Sequence, residues 1–439
     1  MALSRFHFVL FLCTLSAFTC GLTFGFSSAT TLQIYFSTIW SAIFGSCLNI
    51  GGVIGCICSL QLIPRYGHRR TLIWSHMLSF IGWILLFFSS SAVYERYAPT
   101  VPFFLGRFLT GLGCGLTSAT NLIYIYEIAP TSLKALVGSL FQIGITCGVV
   151  VVYALAIYLN WDIISLICGL LVLCTSILTC MLPESPKWCI KTGNLESAEA
   201  SHSWLYGNEL PFKQEESDQL SNGNDSQSLL DGSTKSWLSP TSYVLSNQKS
   251  RLYMGFLLMT FQQLTGMSAI IYFAESVCLL GGSVSYRCAF STGLYLLFSS
   301  IVSAFLIRII SWKKALQIGA VVMAILHLLY SLTLLQPDMP TSMLNEAYLA
   351  ICSVTFSLSW GPLPFLFIIE LFPSVNRNYA IVSSLAVSWI VGFFVIFLFE
   401  PFVSWINVSS LFCIFSSFCL LACFYVYRYV PEIKSMNLI

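Results

Sequence analysis

The chain has 439 residues, of which 57% are hydrophobic and only 9% charged, and its net charge is +2. A soluble domain carries about a quarter charged residues, so this surface is not built for water. So small a net charge also excludes nucleic acid as a natural partner.

A bilayer core takes about 20 apolar residues per helix. Apolar runs of that size lie near 7–27, 39–61, 71–91, 101–125, 137–159 and 162–182, and again near 252–274, 287–307, 315–335, 346–369, 379–399 and 405–429. The first run, Phe6 to Phe18 behind Arg5, resembles a secretory signal. It continues, however, through Gly21, Gly25 and Phe26 into a full span, with small residues spaced for helix packing in lipid. Between the two sets lies a polar stretch, Pro183 to Ser250, rich in Ser, Asn, Gln, Asp and Glu. It has little to bury, so it reads as a linker, with a short amphipathic helix near Leu195 to Leu205 and disorder near 215–236.

The expected fold is an all-α membrane protein with twelve transmembrane helices in two six-helix repeats. The expected units are a first bundle over 1–185, a cytoplasmic linker over 186–250, a second bundle over 251–430 and a short cytoplasmic tail over 431–439. Most of the seventeen cysteines, such as Cys13, Cys56, Cys168 and Cys419, fall inside apolar runs and read as small hydrophobes. Cys278 and Cys288 flank a short outer loop, where a bridge stays open as a second reading.

Basic residues set the orientation. With both termini in the cytoplasm, the inner side holds Arg65, Arg69, Arg70, Lys134, Lys187, Arg308, Lys313, Lys314, Arg377, Arg428 and Lys434, among others. Only Arg96, Arg107 and Arg287 are left for the outer half.

The two halves superpose in sequence. Glu127-Ile-Ala-Pro130 leads to Lys134, and Glu370-Leu-Phe-Pro373 leads to Arg377. Both pairs are offset by 243 residues (370 − 127 and 377 − 134). Arg65, opening Arg-Tyr-Gly-His-Arg-Arg, maps onto Arg308 with the same offset. Orientation alone explains basic loops, but not Glu-x-x-Pro-x-x-x-basic twice at one spacing. Parallel repeats about an axis along the membrane normal are a known build of transporters.

Several motifs now stand in a telling order. They are Gly106-Arg107-Phe108; Glu127-x-x-Pro130; Gln142-x-Gly144; Pro183-Glu184-Ser185-Pro186-Lys187-Trp188; Gln262-Gln263-Leu264-Thr265-Gly266; Trp360-Gly361-Pro362-Leu363-Pro364; Glu370-Leu371-Phe372-Pro373; and Pro431-Glu432-Ile433-Lys434. In this order the chain resembles the sugar porter branch of the major facilitator superfamily, in particular the facilitative hexose (glucose) transporters of animals.

The resemblance implies a cytoplasmic gate. Arg69, Arg70, Glu127, Lys134, Glu184 and Lys187 would serve it in the first half, and Lys313, Lys314, Glu370, Arg377 and Glu432 in the second. Lys134 and Lys187 stand where the family usually has Arg, and Lys lacks the planar bidentate fork, so a looser gate is expected. Amides in a span need partners, and each offers both a donor and an acceptor to a sugar hydroxyl. That points to Gln142, Gln262 and Gln263 as substrate-binding residues. Ser268, Phe365, Ser388 and Trp389 complete the expected site, although the family usually has Asn at Ser268 and Ser388 and Trp at Phe365. Gly266, Pro362 and Pro364 are expected hinges, where broken helices build a midplane site.

The resemblance also bears on coupling. Proton-driven members carry an Asp after Gly-Tyr or Gly-Phe in the first helix; here Ser27 follows Gly25-Phe26. Glu275 and Glu400 are placed too near the outer ends to substitute. The expectation is therefore facilitative uniport of a hexose or related sugar by alternating access. The alternatives are another small polar solute, such as a polyol or sugar acid, or a non-transporting nutrient sensor. An enzyme is not expected, since no nucleophile–base pair or metal cluster is evident, and no cofactor is called for. Asp225, Leu229 and Leu230 form an acidic dileucine pattern that a clathrin adaptor would read, so the expected address is the plasma membrane or an endosomal or lysosomal membrane. The lipid bilayer and a small sugar are the other expected partners.

Overall fold

The structure is a computed structural model that describes residues 2–31, 38–90, 101–130, 133–207, 240–280, 285–336, 341–372 and 377–432. The dileucine pattern at Asp225, Leu229 and Leu230 lies outside the described residues, as does the stretch 215–236. Within the described residues the chain is helical throughout its regular structure, with no strand.

The first six spans are α1 (Ala2–Thr31), α2 (Thr38–Tyr66), α3 (His68–Phe88), α4 (Val101–Ile128), α5 (Lys134–Ala156) and α6 (Trp161–Thr179). Two short helices follow, α7 (Pro186–Lys191) and α8 (Leu195–Tyr206). The seventh span is broken into α9 (Pro240–Leu264), α10 (Met267–Tyr272) and α11 (Ala274–Leu280). Then come α12 (Ser285–Leu306) and α13 (Trp312–Thr333), a tenth span broken into α14 (Thr341–Leu358) and α15 (Leu363–Leu371), and finally α16 (Arg377–Ile406) and α17 (Val408–Tyr429). Eleven spans are each apolar enough to cross a bilayer; the broken seventh makes twelve. Helix α9 begins at Pro240, earlier than the start at 251 expected for the second bundle.

One packing scheme serves both halves. In the first, α1 packs on α5 and α6, α2 on α4, and α3 on α4 and α6. In the second, α9 packs on α16 and α17, α12 on α14, and α13 on α14 and α17. The two most extensive seams between the halves are α2 with α16 and α5 with α12, and the repeat turns one into the other. That is the two-fold relation the 243-residue offset requires.

Inside the first half the spacing between helices is set by small residues. A Cβ on Gly51, Gly55 or Gly111 would land on the backbone of the facing helix in the α2–α4 pair, and one on Gly144 or Gly148 on the backbone of α1. Lipid tails are as apolar as Leu, so such close backbone approach, with its dense van der Waals contact, is what holds the helices together.

Helix α8 docks beneath α1. The Tyr206 hydroxyl donates to the Ile128 carbonyl, the Phe6 and Tyr206 rings lie 6.0 Å apart, and the Arg5 guanidinium lies 5.6 Å from the Trp204 ring. The Cys278–Cys288 bridge is formed, with its Cα atoms 6.1 Å apart, and ties α11 to α12. The end of the molecule that carries it is called the disulfide face below. The opposite end, with Arg69, Lys134 and Lys187, is the basic face.

Candidate binding site and gates

The helices are interrupted at Gly266 and around Pro362 and Pro364, and each interruption has a covalent cause. Gly266 has φ +81°, a left-handed conformation that a side chain disfavours, and it separates α9 from α10. Pro362 and Pro364 have no N–H, so the carbonyls four residues earlier lose their helical partners. Pro364 thereby frees the Trp360 carbonyl. Gln262 takes it up: its Nε2 donates to Trp360 O at 2.9 Å and to Gly361 O at 3.0 Å. The two broken spans are thus joined at their breaks by one amide.

The other atom of that amide is unsatisfied. Gln262 Oε1 is buried and has no hydrogen-bond partner. Gln142, also buried, approaches from the first half, and a Cβ on Gly361 would lie 3.4 Å from its Nε2. Gln263 is held differently. Its Nε2 donates to Ser388 Oγ at 2.8 Å, and its Oε1 accepts from the Ser268 hydroxyl. The two serines that replace the family's usual Asn therefore clamp one glutamine at both ends.

Aromatic rings pack beside the amides. The Phe24 ring lies 5.8 Å from Trp389 and 5.8 Å from Tyr272, and Gly52 leaves the room that the buried Trp389 ring fills. Phe365 lies elsewhere. It meets Phe141 edge-on at 6.0 Å and lines a small apolar pocket together with Leu122, Met259 and Ile381.

Two further residues belong to this centre. Asn49 is buried on α2, and a Cβ on Gly392 would lie 3.2 Å from its Oδ1 and 3.5 Å from Gln263 Oε1. Two amide oxygens thus converge on the bare face of Gly392. The signal was available, because Asn49 is an amide in an apolar run, as the glutamines are. His327 fixes the Gly266 break from behind. Its Nε2 faces Thr265 O at 2.8 Å and its Nδ1 faces Tyr348 Oη at 2.8 Å. A carbonyl can only accept, so Nε2 carries the proton and Nδ1 accepts from the tyrosine.

On the basic face the expected residues fall into three groups. In the first, Glu184 accepts from the backbone N–H groups of His68 at 2.8 Å and Arg69 at 3.2 Å, which open α3. These are donors that a helix start leaves unpaired, and the helix dipole favours the charge there. Burial raises the Glu184 carboxyl, but bonds from His68 and the Ser185 N–H outweigh it and hold the pKa below its ordinary value. His68, 1% exposed, also lies 3.6 Å from Glu127, which accepts from Ser185 Oγ at 2.5 Å. Arg69 is spent on the Leu182 carbonyl at 3.3 Å.

The second group joins the halves. Tyr126 donates to Glu370 Oε1 at 3.3 Å, and its ring centroid lies 4.5 Å from the Lys134 ammonium and 4.5 Å from the Arg377 guanidinium. Arg377 caps its own half, donating to Ile369 O at 2.9 Å and Phe372 O at 2.9 Å. Burial draws the Lys134 pKa down against the pull of Glu370. In the third group Glu432 accepts from Ser311 Oγ at 3.2 Å, and the same oxygen accepts the Lys314 N–H. Arg70, Lys187 and Lys313 have no side-chain partner among the described residues. The acid–base pairs expected between the halves are not formed there either; a tyrosine takes their place. Lys134 and Arg377 reach Tyr126 through its ring face, an attraction that sequence acids and bases do not advertise.

Twelve spans in two repeats, a polar layer at paired helix breaks and contacts between the halves on both faces define a transporter of the major facilitator superfamily. The chain belongs to its sugar porter family: the family model described as "Sugar (and other) transporter" matches residues 11–439. Sugar transporter ERD6-like 6 of Arabidopsis thaliana is 26% identical over 437 residues, covering 96% of this chain and 85% of that protein. A facilitated trehalose transporter Tret1-2 homolog of Drosophila sechellia is 26% identical, covering 99% of this chain and 90% of its own. The solved proton:xylose symporter XylE shares the fold at TM-score 0.77 with 22% identity, covering 98% of this chain and 97% of that one.

Proposed function

We propose that this sugar porter carries a hexose or related sugar down its gradient, as a uniporter working by alternating access. The single observation that carries the reading is Gln262. Its Oε1 is buried and unpartnered where two broken spans meet, and Gln142 of the other half approaches the same junction at Gly361. An unpaired buried acceptor costs about 1–3 kcal/mol, and a sugar hydroxyl would remove that cost. Movement of either half uncovers the site, since its walls come from both.

The absence of coupling is supported by the first helix. Arg107, 0% exposed, donates to Thr23 O at 3.0 Å and to the Ser27 hydroxyl. A neutral hydroxyl thus stands where a coupled member would hold its titrating acid. Relatives named as facilitated transporters of trehalose agree with this, whereas XylE is named a proton symporter. With Gln263 held by Ser268 and Ser388, fewer amides are free for cargo than the hexose pattern implies. Trehalose therefore belongs among the sugars tried. The basic face is assigned to the cytoplasm by its charge, and the bridged cysteines suit an oxidising outer compartment.

The test is uptake of labelled glucose, xylose and trehalose by the full chain in liposomes, with and without a proton gradient. Saturable uptake that never exceeds equilibrium is expected. Cargo-dependent proton flux, or no uptake of any sugar by folded protein, would overturn the reading.

A further inference from the structure

The molecule holds a buried acid that the sugar site does not use. Glu275 sits in the first turn of α11 and is 1% exposed. Neither of its carboxyl oxygens has a hydrogen-bond partner. The residue is nevertheless at a junction of the halves. Its backbone N–H donates to Ser28 Oγ of α1 at 3.1 Å, and close by the Tyr153 hydroxyl of α5 donates to Ile271 O at 2.5 Å. Cys278, one turn further on, is bridged to α12.

The surroundings offer no charge to answer it. Helix α1 contributes Ser27 and Ser28, neither of which titrates. Arg107 of α4 reaches this turn of α1 but is engaged by Thr23 O and the Ser27 hydroxyl. Helix α5 presents Tyr153, α10 presents Tyr272, and α12 carries Tyr286 and an exposed Arg287. No Lys, Arg or His lies within 4.0 Å of Glu275 among the described residues. A carboxylate stripped of water without a partner is strongly disfavoured; a carboxylic acid is tolerated. An ionisable side chain inside a span without a structural partner is a functional group by default.

We propose that Glu275 is a proton-binding site that closes the disulfide face. When that face opens, α1 withdraws and the group meets water as a carboxylate. When it closes, the carboxylate takes one proton and is buried as the acid. The proton goes back the way it came. Glu275 lies one turn beyond Tyr272 and beside Ser28, itself one turn beyond Phe24, so these two packed rings stand on its basic-face side. Acidity in the compartment on the disulfide side therefore favours closure without a proton crossing the membrane. The bond formed and broken is the O–H of the carboxyl, and no other reactant is needed.

The inference rests on the alternating movement proposed above, and the test separates the two. The full chain in liposomes is examined by infrared difference spectroscopy. Near neutral pH a carbonyl band of a protonated carboxylic acid is expected, and Glu275→Gln, which keeps the shape of the acid, should remove it. This needs no cargo, so it decides the site even if no sugar moves. Uptake of labelled glucose is then followed while the pH on the disulfide side alone is stepped. One proton changes the ratio of closed to open by up to about tenfold per pH unit. Wild type should respond and Glu275→Gln should be flat. Glu275→Ala, with a melting curve, separates loss of the group from loss of the fold. A missing band, a pH response that survives Glu275→Gln, or cargo-driven proton flux that Glu275→Gln abolishes would each overturn the proposal.

Discussion

The first and seventh spans hold equivalent places in the two repeats, packing on the fifth and sixth spans of their own halves, and so do the fourth and tenth. In the first half both are unbroken: α1 runs from Ala2 to Thr31 and α4 from Val101 to Ile128. In the second half both are interrupted, at Gly266 and Phe273 and again between Leu358 and Leu363. One duplicated plan has thus become a stiff half and an articulated half. Small residues lock α1 to α5 and α2 to α4, so the first half offers a fixed wall. The second half can change the angle between its segments without losing backbone bonds, because Gln262 and His327 already cover the groups the breaks release.

Changes at the breaks should therefore hurt more than changes in the stiff half. Gly266→Val is expected to act most strongly. A side chain in the left-handed region costs about 1–3 kcal/mol, and its Cβ would lie 2.8 Å from the Phe415 ring. Melting should fall and uptake should be lost. Thr23→Val in the unbroken first span keeps the shape and loses only the hydroxyl bond to Thr19 O, about 0.5–1.5 kcal/mol. Equal melting of the two variants would erase the contrast between the halves.

Gln262→Leu comes next. It leaves the Trp360 carbonyl without its donor, at a cost of about 1–3 kcal/mol, and removes the free acceptor from the site. We expect uptake to fall about tenfold or more. Near-normal uptake would show that the junction of the breaks is not where cargo binds.

The smallest effect is expected at the basic face. Tyr126→Phe keeps the ring that Lys134 and Arg377 both contact but drops the bond to Glu370, worth about 0.5–1.5 kcal/mol. The ratio of influx to efflux under zero-trans conditions should shift severalfold while melting barely moves. An unchanged ratio would mean that the ring contacts alone join the halves there.

The spans, the repeat and the breaks could all be read from the sequence, because each leaves a local mark. Apolar length marks a span, a fixed offset marks a duplication, and Gly or paired Pro marks an interruption. The glutamines also stood out, being amides in apolar runs. What stayed hidden depends on which helices meet. Tyr126 reads as another aromatic in lipid until Glu370 is seen beside it. His68 was one basic residue among several until two carboxylates were found around it. His327 gave no local sign that it braces a break 61 residues earlier in the chain, at Gly266 (327 − 266). Glu275 reads in the sequence as a residue near a helix end, and only the packing of α1 over it makes it a buried group.

The Cys278–Cys288 bond has a consequence for how the protein is made. Helix α11 is a single short segment that carries a carboxyl and has lost helical continuity with α10, so hydrocarbon alone gives it little reason to stay inserted. On the topology proposed above, Cys288 stands beside Cys278 at the outer face once α12 has followed α11 into the membrane. The bridge therefore marks a completed pair of insertions, and it fastens during biosynthesis the one segment least able to hold its own depth. Chains synthesised under reducing conditions should be recognised by quality control through this corner of the second half, with the first half already folded.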